Sequence, residues 1–363
     1  MCKRRAGATA NGTGYIVETV PRLFLVLAAI AAALVPVPAS YIEQHYSRGV
    51  YPVLQRTVTS GSNLLPIALL DIACGVLLLV VAFAARRRWK RYGAGAALRW
   101  IAGTAVVTAA VVYLVFLAMW GFNYRRVPLE DKVEYDPQRV SHAAAARFGR
   151  TAVGEVNTLA AIDREGTSIE ALAEAFAQAQ HRFGASTVAV VGRPKASLLV
   201  PYFRRAAIDG MTDPFFLEII INTDVLPFER PFVLAHEWAH LAGYADESDA
   251  NFVAWLTCVG AADAGARYSG WLAAYQHAAG ALSPDERRAL NGHLDPAVIE
   301  DLRAVAARLS RATPAVRQAA RNAYDKYLRA NRVEEGIESY GAVLRLMLGT
   351  SFENGWVPRL RSR

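Results

Sequence analysis

The sequence predicts a mainly α-helical membrane protein, in which three membrane-spanning helices precede an α-rich domain with a small sheet. Two observations on composition and patterning support this fold class. Apolar residues make up 53% of the chain and charged residues 20%, a balance typical of a chain that lies partly in lipid. The apolar runs are confined to the first third, and the remainder alternates helical patterns with one strong strand pattern.

The apolar runs cover about 23–39, 64–85 and 100–121. At about 1.5 Å per residue, each is long enough to cross the hydrocarbon layer. We therefore predict a transmembrane region over 23–124 and a polar cytoplasmic tail over 1–22. The first run also fits a signal peptide, with basic residues ahead and small residues at its exit, but the two later runs keep the chain in the membrane in either case.

Charge distribution predicts the orientation. Residues 1–126 hold fourteen Lys and Arg but three acidic residues, and the densest basic run is 86–91. Because Lys and Arg mark cytoplasmic loops, the N-terminus and 86–99 are expected inside, and 40–62 and everything after about residue 122 outside. The basic residues flank apolar spans, so we expect the lipid bilayer as a partner and no nucleic acid.

The domain after the spans, 125–363, is predicted to be mainly helical. Strand patterns occur at 188–191 and, more strongly, at 215–222, which reads FFLEIIIN. Helical patterns occur at 138–185 (two helices broken near Gly166), 231–242, 246–262, 267–279, 284–310, 313–330 and 336–349.

The predicted helix at 231–242 carries the pattern His-Glu-x-x-His. Residues four apart share a helix face, so His236 and His240 can bind one Zn²⁺, while Glu237 can take a proton from metal-activated water. The alternative is a helix with two solvated histidines and a salt-bridging glutamate. An apolar face on the same helix, Gly243 at its end and the upstream strand favour an active site, and a peptide could add to the edge of that strand.

Several carboxylates could supply a third metal ligand. Asp246 follows a glycine turn that could swing it under the metal, whereas Glu247 begins the next helix, with Asn251 on the same face to orient a ligand. Asp246 is also a good N-cap for that helix, with Asp249 three residues on. Since capping would free Glu247 to coordinate, the residues favour Glu247 and leave Asp246 as the alternative.

Three further side chains have open roles. Asp71 lies near the outer end of the second apolar run, where a carboxylate is either functional or directed at the outer domain. Glu218 on the strand could line a cleft or face solvent, and Tyr268 could stabilise an oxyanion or pack in the core. The remaining histidines are isolated, and the three cysteines form no metal or disulfide pattern.

The sequence resembles a family of bacterial membrane proteins catalogued as domain of unknown function 3810. The resemblance rests on six stretches: 119–126 (MWGFNYRR), 215–222 (FFLEIIIN), 231–240 (PFVLAHEWAH), 247–252 (ESDANF), 267–269 (RYS) and 336–340 (GIESY).

That family is similar to gluzincin-type zinc metallopeptidases. The resemblance implies a zincin-like domain, His236, His240 and Glu247 as ligands of Zn²⁺ and Glu237 as the catalytic base. Asn251 stands where related membrane peptidases have an aspartate. The resemblance supplies no substrate.

We therefore expect an integral-membrane zinc metallopeptidase that cleaves a peptide or protein outside the cytoplasm, near the membrane. Two other functions use the same residues: a non-catalytic receptor or assembly protein with a structural zinc site, and a zinc-dependent cell-wall amidase.

Overall fold

A computed structural model describes residues 12–161, 167–333 and 342–361, with only the backbone for 12–20. The described chain is mostly helical with two small sheets. Its α-helices are α1 (Gly12–Leu34), α2 (Ala39–Tyr41), α3 (Tyr51–Ser62), α4 (Leu69–Tyr92), α5 (Ala94–Met119), α6 (His142–Thr158), α7 (Ile169–Arg182), α8 (Val200–Ala206), α9 (Arg230–Leu241), α10 (Glu247–Val259), α11 (Ala264–Gly280), α12 (Pro284–Asn291), α13 (Pro296–Leu309), α14 (Pro314–Ala330) and α15 (Ala342–Gly349). Residues 1–11 of the predicted tail, the break near Gly166 and the GIESY stretch lie outside the described residues, whereas 12–22 belong to α1.

Two described helices, α4 and α5, are long and apolar enough to cross a membrane. Within the described part of the chain, the bent pair Pro21–Leu34 and Ala39–Ser62 gives a third span if it counts as one. The predicted loop at 86–99 is wrong in form, because α4 continues through the basic run and only Gly93, at φ +81°, separates it from α5. Arg and Lys are good helix formers and are favourable at a helix C-terminus, so the basic run extends the helix.

The chain divides into two compact units, Met1–Val37 with Ile72–Met119, and Pro38–Asp71 with Trp120–Arg363. The segment expected as a loop at 40–62 is helical instead, with α2 and α3 joined by a π-helical stretch, Ile42–Val50. It belongs to the second unit, where the Glu43 carboxylate accepts hydrogen bonds from Arg48, Arg126 and Lys132 at 3.0, 3.1 and 2.7 Å. The pairs with Arg126 and Lys132 join residues far apart in the chain and have no signature in a local pattern.

From α6 onward the helices of the second unit follow the predicted pattern, except that α8 was not predicted and one predicted helix is divided. The predicted helix over 284–310 is two helices, α12 and α13. Asp295 is the N-cap of α13 and accepts a hydrogen bond from the Ala297 backbone N–H, and Pro296 occupies the first helical position. Proline is well suited to that position but cannot continue a helix, which ends α12 earlier.

The larger sheet is built from β1 (Gly210–Asp213) and β2 (Glu218–Ile221), paired antiparallel with Gly210 opposite Ile221. The strand predicted at 215–222 is therefore shorter, because Phe215 and Phe216 lie in the turn and Leu217 has φ +47°. On its other side β2 meets Pro194 in a parallel bridge. Both edges of β2 are occupied, and among the described residues β1 has a strand partner on one side only.

No strand forms at 188–191, in contrast to the prediction. The side-chain amide of Gln55 bonds both backbone groups of Val190, with Nε2 donating to the carbonyl at 2.7 Å and Oε1 accepting from the N–H at 3.0 Å. A side chain therefore replaces a strand partner there. The second sheet, which sequence patterns did not predict, is the hairpin of β3 (Phe352–Glu353) and β4 (Val357–Pro358).

The core of the second unit lies around α10, which packs against α9, α11, α7 and α15. Trp255 of α10 is fully buried, and its ring lies 5.9 Å from those of Phe148 and Trp271 and 5.4 Å from that of Trp356. Such aromatic pairs stabilise beyond the area that they bury, so this cluster fixes α10 from several sides.

Candidate metal centre

The His-Glu-x-x-His residues lie on α9, which starts with Pro231 in its first turn. Leu234, Trp238 and Leu241 are buried, and the Trp238 indole N–H donates to the Gly192 carbonyl at 2.9 Å. Burial of this apolar face determines the rotation of the helix. His236 and His240, one turn apart, then project on the opposite side beside Glu237.

The next helix returns to α9 through a tight turn. Gly243 has φ +86°, and a Cβ there would lie 3.0 Å from Asn123 Oδ1 and 3.1 Å from a Tyr51 ring carbon. The turn therefore requires glycine. Asp246 is the N-cap of α10, accepting a hydrogen bond from the Ser248 N–H at 2.8 Å, and Glu247 is the first residue of the helix.

This turn brings the Glu247 carboxylate to the two histidines. His236 Nε2 lies 3.0 Å from His240 Nε2 and 3.4 Å from Glu247 Oε2, and His240 Nε2 lies 3.6 Å from Glu247 Oε1. Within the described part of the chain, this is the one group of three or more His, Cys, Asp or Glu side chains close enough to hold a metal ion.

The geometry and the donor types of this group fit zinc. Two imidazoles and a carboxylate with an open position are the donor set of many catalytic zinc sites. Ligands about 2 Å from a tetrahedral ion are about 3.3 Å apart, close to the separations found here. Glu247 Oε2 is buried and has no hydrogen-bond partner, which is costly for a carboxylate oxygen unless a cation satisfies it.

The metal-facing atom of His240 is defined by the opposite ring nitrogen. His240 Nδ1 lies 2.8 Å from the Tyr244 carbonyl, which can only accept, so Nδ1 carries a proton. In a neutral ring Nε2 then keeps its lone pair for a metal. The indole N–H of Trp120 also donates to the His240 carbonyl at 2.8 Å, holding this end of α9.

The Glu247 carboxylate is held by a residue from another helix. The Tyr324 hydroxyl of α14 donates to Glu247 Oε1. Asn251, which we expected to orient a ligand, is buried but its amide nitrogen has no hydrogen-bond partner. The orienting contacts that sequence reasoning assigned to Asn251 are instead made by the Tyr244 carbonyl and Tyr324.

Opposite charges stabilise each other in this buried group. Burial by itself disfavours a charged imidazole, but the nearby Glu247 and Glu237 carboxylates outweigh it and raise the pKa of His240 to about 9. Burial likewise disfavours the Glu247 carboxylate, yet His240 and His236 hold its pKa well below the usual range. Glu247 is therefore ionised near neutral pH, as a metal ligand must be.

Glu237 has the environment of a proton-transfer group. Its carboxyl is almost fully buried, and burial raises its pKa although His236, His240 and Thr212 oppose the shift. Thr212 Oγ1 lies 2.7 Å from Glu237 Oε2 and 3.0 Å from the Glu237 carbonyl, so its one proton serves one acceptor at a time. A Cβ at Gly210 would lie 2.5 Å from Glu237 Oε1.

The side chains with open roles belong to the scaffold. The Tyr268 hydroxyl donates to Asp301, and its ring is fully buried, so it is a packing residue. Glu218 is buried and accepts from the Leu70 N–H at 3.1 Å, at the start of α4. Asp71 accepts from Ser197 Oγ at 3.1 Å and from the Leu198 N–H at 2.7 Å.

Of the histidines that we considered isolated, His277 is an exception. Crowding by protein atoms lowers its pKa to about 4, and the neighbouring His236 ring adds to this effect. His277 therefore borders the candidate site, whereas His142, for example, forms a surface contact with Glu286 at 3.1 Å.

Four residues at or near the candidate site were not predicted from the sequence: Thr212, Gly210, Tyr324 and Trp120. Thr212 and Gly210 lie on β1, which no strand pattern announced, and Tyr324 lies on a helix more than seventy positions after Glu247. The only local signal was Gly210 itself, a glycine two residues before a threonine and just ahead of an Asp-Pro turn. Glycine at such a place can mark a close approach of another group.

The chain belongs to the family described as Protein of unknown function (DUF3810), which matches residues 46–348. Comparisons with curated proteins and with solved structures found no match.

Proposed function

We propose that this member of the family is an integral-membrane zinc metallopeptidase of gluzincin type, with a zincin-like domain outside the cytoplasm. The observation that carries the proposal is the convergence of His236, His240 and Glu247, whose donor atoms all lie within 4.8 Å of one another, beside the buried Glu237. A purely structural zinc site needs the ligands but not an adjacent carboxylate with a raised pKa.

His236, His240 and Glu247 would hold Zn²⁺. When bound, the ion supplies Lewis-acid polarisation of a peptide carbonyl and activation of water. Glu237 accepts the proton of the attacking water and then donates it to the leaving amine. Burial raises the pKa of the Glu237 carboxyl, which favours its accepting and then donating this proton.

The surroundings support this role for Glu237. Thr212 holds one carboxyl oxygen, and the missing side chain at Gly210 leaves room for the other. Both residues come from β1, the strand with an unpaired side among the described residues. An extended peptide that pairs with β1 would pass next to Glu237, so the substrate edge belongs to β1 and not, as the sequence suggested, to β2.

The membrane location rests on α4 and α5, which are apolar enough to span. The orientation rests on the basic run at the end of α4, which favours the cytoplasmic side. We therefore propose as substrates peptides or proteins that lie outside the cytoplasm, close to the membrane that α4 and α5 cross.

Metal content and turnover of a Glu237→Gln variant test the proposal. The full chain purified in detergent should contain about one zinc per molecule, and the variant should keep that zinc but lose cleavage of a peptide library. Gln preserves the size of the side chain and its contact with Thr212, so loss of activity reports on proton transfer. Glu300→Gln, an exposed position on α13, is the matched control and should cleave normally.

Wild-type protein without zinc would refute the metal site, and a fully active Glu237→Gln variant would refute the assigned base. If wild type holds zinc and cleaves no peptide, the receptor or assembly function replaces the peptidase. Cleavage of cell-wall peptides in preference to the library would favour the amidase.

A further inference from the structure

A group of apolar side chains on the second unit is exposed to solvent, some almost completely. Leu64 and Leu198 are 83% and 84% exposed, and Leu65, Ile67 and Tyr202 are 43–48% exposed. We call these five residues the apolar patch. Single exposed apolar residues are common on soluble surfaces, but several together indicate an interaction site.

The two chain segments that carry the apolar patch run side by side. The Ala196 N–H donates to the Pro66 carbonyl and the Ala68 N–H donates to the Ala196 carbonyl, both at 2.9 Å. These bonds form a parallel bridge between Ile67 and Ala196. The residues before α4 and those before α8, about 130 positions apart in the chain, therefore share one surface.

The apolar patch is continuous with the beginning of α4. Asp71, in the first turn of α4, accepts hydrogen bonds from Ser197 Oγ and the Leu198 N–H at 3.1 and 2.7 Å. A carboxylate at the end of a membrane span must have polar partners nearby. Because residues 197 and 198 are those partners, they lie at the level where α4 starts.

The exposure is selective along α8 and the residues before it. Leu199 and Val200 pack onto the buried cluster of Ala68, Phe203 and Ile220, whereas Leu198 and Tyr202 point outward. Arg204 and Arg205 are also exposed on α8. Leucine with tyrosine and arginine is typical of segments that lie at the boundary between headgroups and acyl chains.

We propose that the apolar patch inserts into the bilayer that α4 crosses, so that residues 64–67 and 198–202 dock the second unit on the membrane surface. The lipid boundary fits because the patch adjoins the start of a span and presents leucine and tyrosine close to arginine. This surface is separate from His236, His240 and Glu247, and the proposal does not depend on a bound metal.

Site-specific fluorescence in lipid vesicles tests the docking. The full chain, with Cys2→Ser and Cys74→Ser, leaves only Cys258, which is buried and unreactive. Leu198→Cys is labelled with an environment-sensitive fluorophore and reconstituted in vesicles of phosphatidylcholine and phosphatidylglycerol. We expect strong quenching by lipids with a spin label near the headgroup and several-fold weaker quenching by aqueous iodide than for an exposed site.

Two labelled controls give the comparison. Ile169→Cys, at a 48% exposed isoleucine at the start of α7, should be quenched by iodide and not by lipid labels. Leu79→Cys, within α4, should be quenched by lipids labelled deep in the acyl chains.

Lipid quenching at position 79 but iodide quenching at 198 equal to that at 169 would overturn the docking surface while leaving the span intact. Protection of position 198 from iodide without quenching by lipid would mean that protein covers the patch, and would also overturn the proposal. Leu198→Asp should abolish the membrane contact of a label at position 202, whereas Ile169→Asp should not affect it.

Discussion

Gly210 illustrates how one absent side chain shapes the candidate site at the residue scale. Its φ is not in the left-handed region, so the backbone alone does not require glycine there. What requires it is Glu237, because a Cβ would lie 2.5 Å from Oε1 and 3.0 Å from both Cγ and Cδ. Because Gly210 has no side chain, the Glu237 carboxyl can lie against β1 on the side of α9 that carries His236 and His240.

A Gly210→Ala substitution should therefore displace the Glu237 carboxyl without removing a metal ligand. We expect kcat for peptide cleavage to fall by about 10²-fold, the scale of a misplacement of about 1 Å, with zinc content unchanged. Steady-state kinetics and metal analysis measure the two quantities. Gly154→Ala on α6, where no atom lies within 4 Å of the added methyl, is the control and should behave as wild type. A wild-type kcat for Gly210→Ala would contradict the assignment of Glu237.

The neighbours Asp246 and Glu247 differ in what they contact. Asp246 bonds the Ser248 N–H of its own helix, whereas Glu247 lies against His236, His240 and Tyr324. Asp246 thus caps the N-terminus of α10, and Glu247 completes the cluster with His236 and His240.

Paired amide substitutions distinguish these two roles. Glu247→Gln should weaken zinc affinity by at least about tenfold, because an anionic ligand becomes neutral. Asp246→Asn should retain zinc and thermal stability, since asparagine caps a helix as well as aspartate. Competition with a chelator measures the affinities. If Asp246→Asn loses zinc and Glu247→Gln keeps it, Asp246 is the third ligand.

At the scale of elements, the turn between β1 and β2 holds two buried carboxylates. Asp213 and Glu218 face each other where the two strands join this turn, and both are fully buried. Asp213 accepts hydrogen bonds from the Phe215 and Phe216 N–H groups at 3.1 and 2.8 Å. Burial, aided by the Glu218 charge, nevertheless raises the pKa of Asp213 to about 6.

The raised pKa predicts a stability effect with a definite sign. The folded state binds the proton of Asp213 more tightly than the unfolded state, whose pKa is near 3.8. The ionised carboxylate thus costs about 3 kcal/mol of folding free energy above pH 6, and the cost fades as the pH falls towards 4. Asp213→Asn removes this dependence.

We therefore expect the stability of Asp213→Asn relative to wild type to be greatest near neutral pH and to decline from about pH 6 to about pH 4. Thermal midpoints of both proteins across this range measure the difference. The exposed Asp285→Asn variant serves as a control without such a trend. A difference that stays constant with pH would contradict the burial penalty at Asp213.

The helices themselves were largely predictable, whereas in the larger sheet only β2 was predicted, as part of 215–222. Periodic apolar positions and caps placed α6, α7, α9, α10, α11 and α14 close to their observed bounds. Strand β1 was not predicted, because it is stabilised by pairing with β2 and by contact with α9 and not by a local pattern. The absence of a strand at 188–191 is also a long-range effect, because the Gln55 side chain bonds the backbone N–H and carbonyl of Val190.

At the scale of the whole molecule, the basic run at the end of α4 predicts on which side the second unit lies. A reporter that is active only in the cytoplasm, fused after Arg363, should be silent, whereas the same reporter inserted after Gly93 should be active. Activity of the C-terminal fusion would reverse the orientation and place the proposed peptidase in the cytoplasm.

The sequence by itself determined the features that depend on residues close together in the chain. These are the apolar helices α4 and α5, the two histidines one turn apart with Glu237 between them, and the capped helix that starts at Glu247. Helical periodicity and capping act over a few residues, so one chain segment suffices to reveal them. Tertiary structure alone decided which groups surround them. Thr212, Gly210 and Tyr324 reach the cluster from other elements, and Asp71 meets residues 197 and 198 across the fold, because such contacts depend on packing between segments distant in the chain.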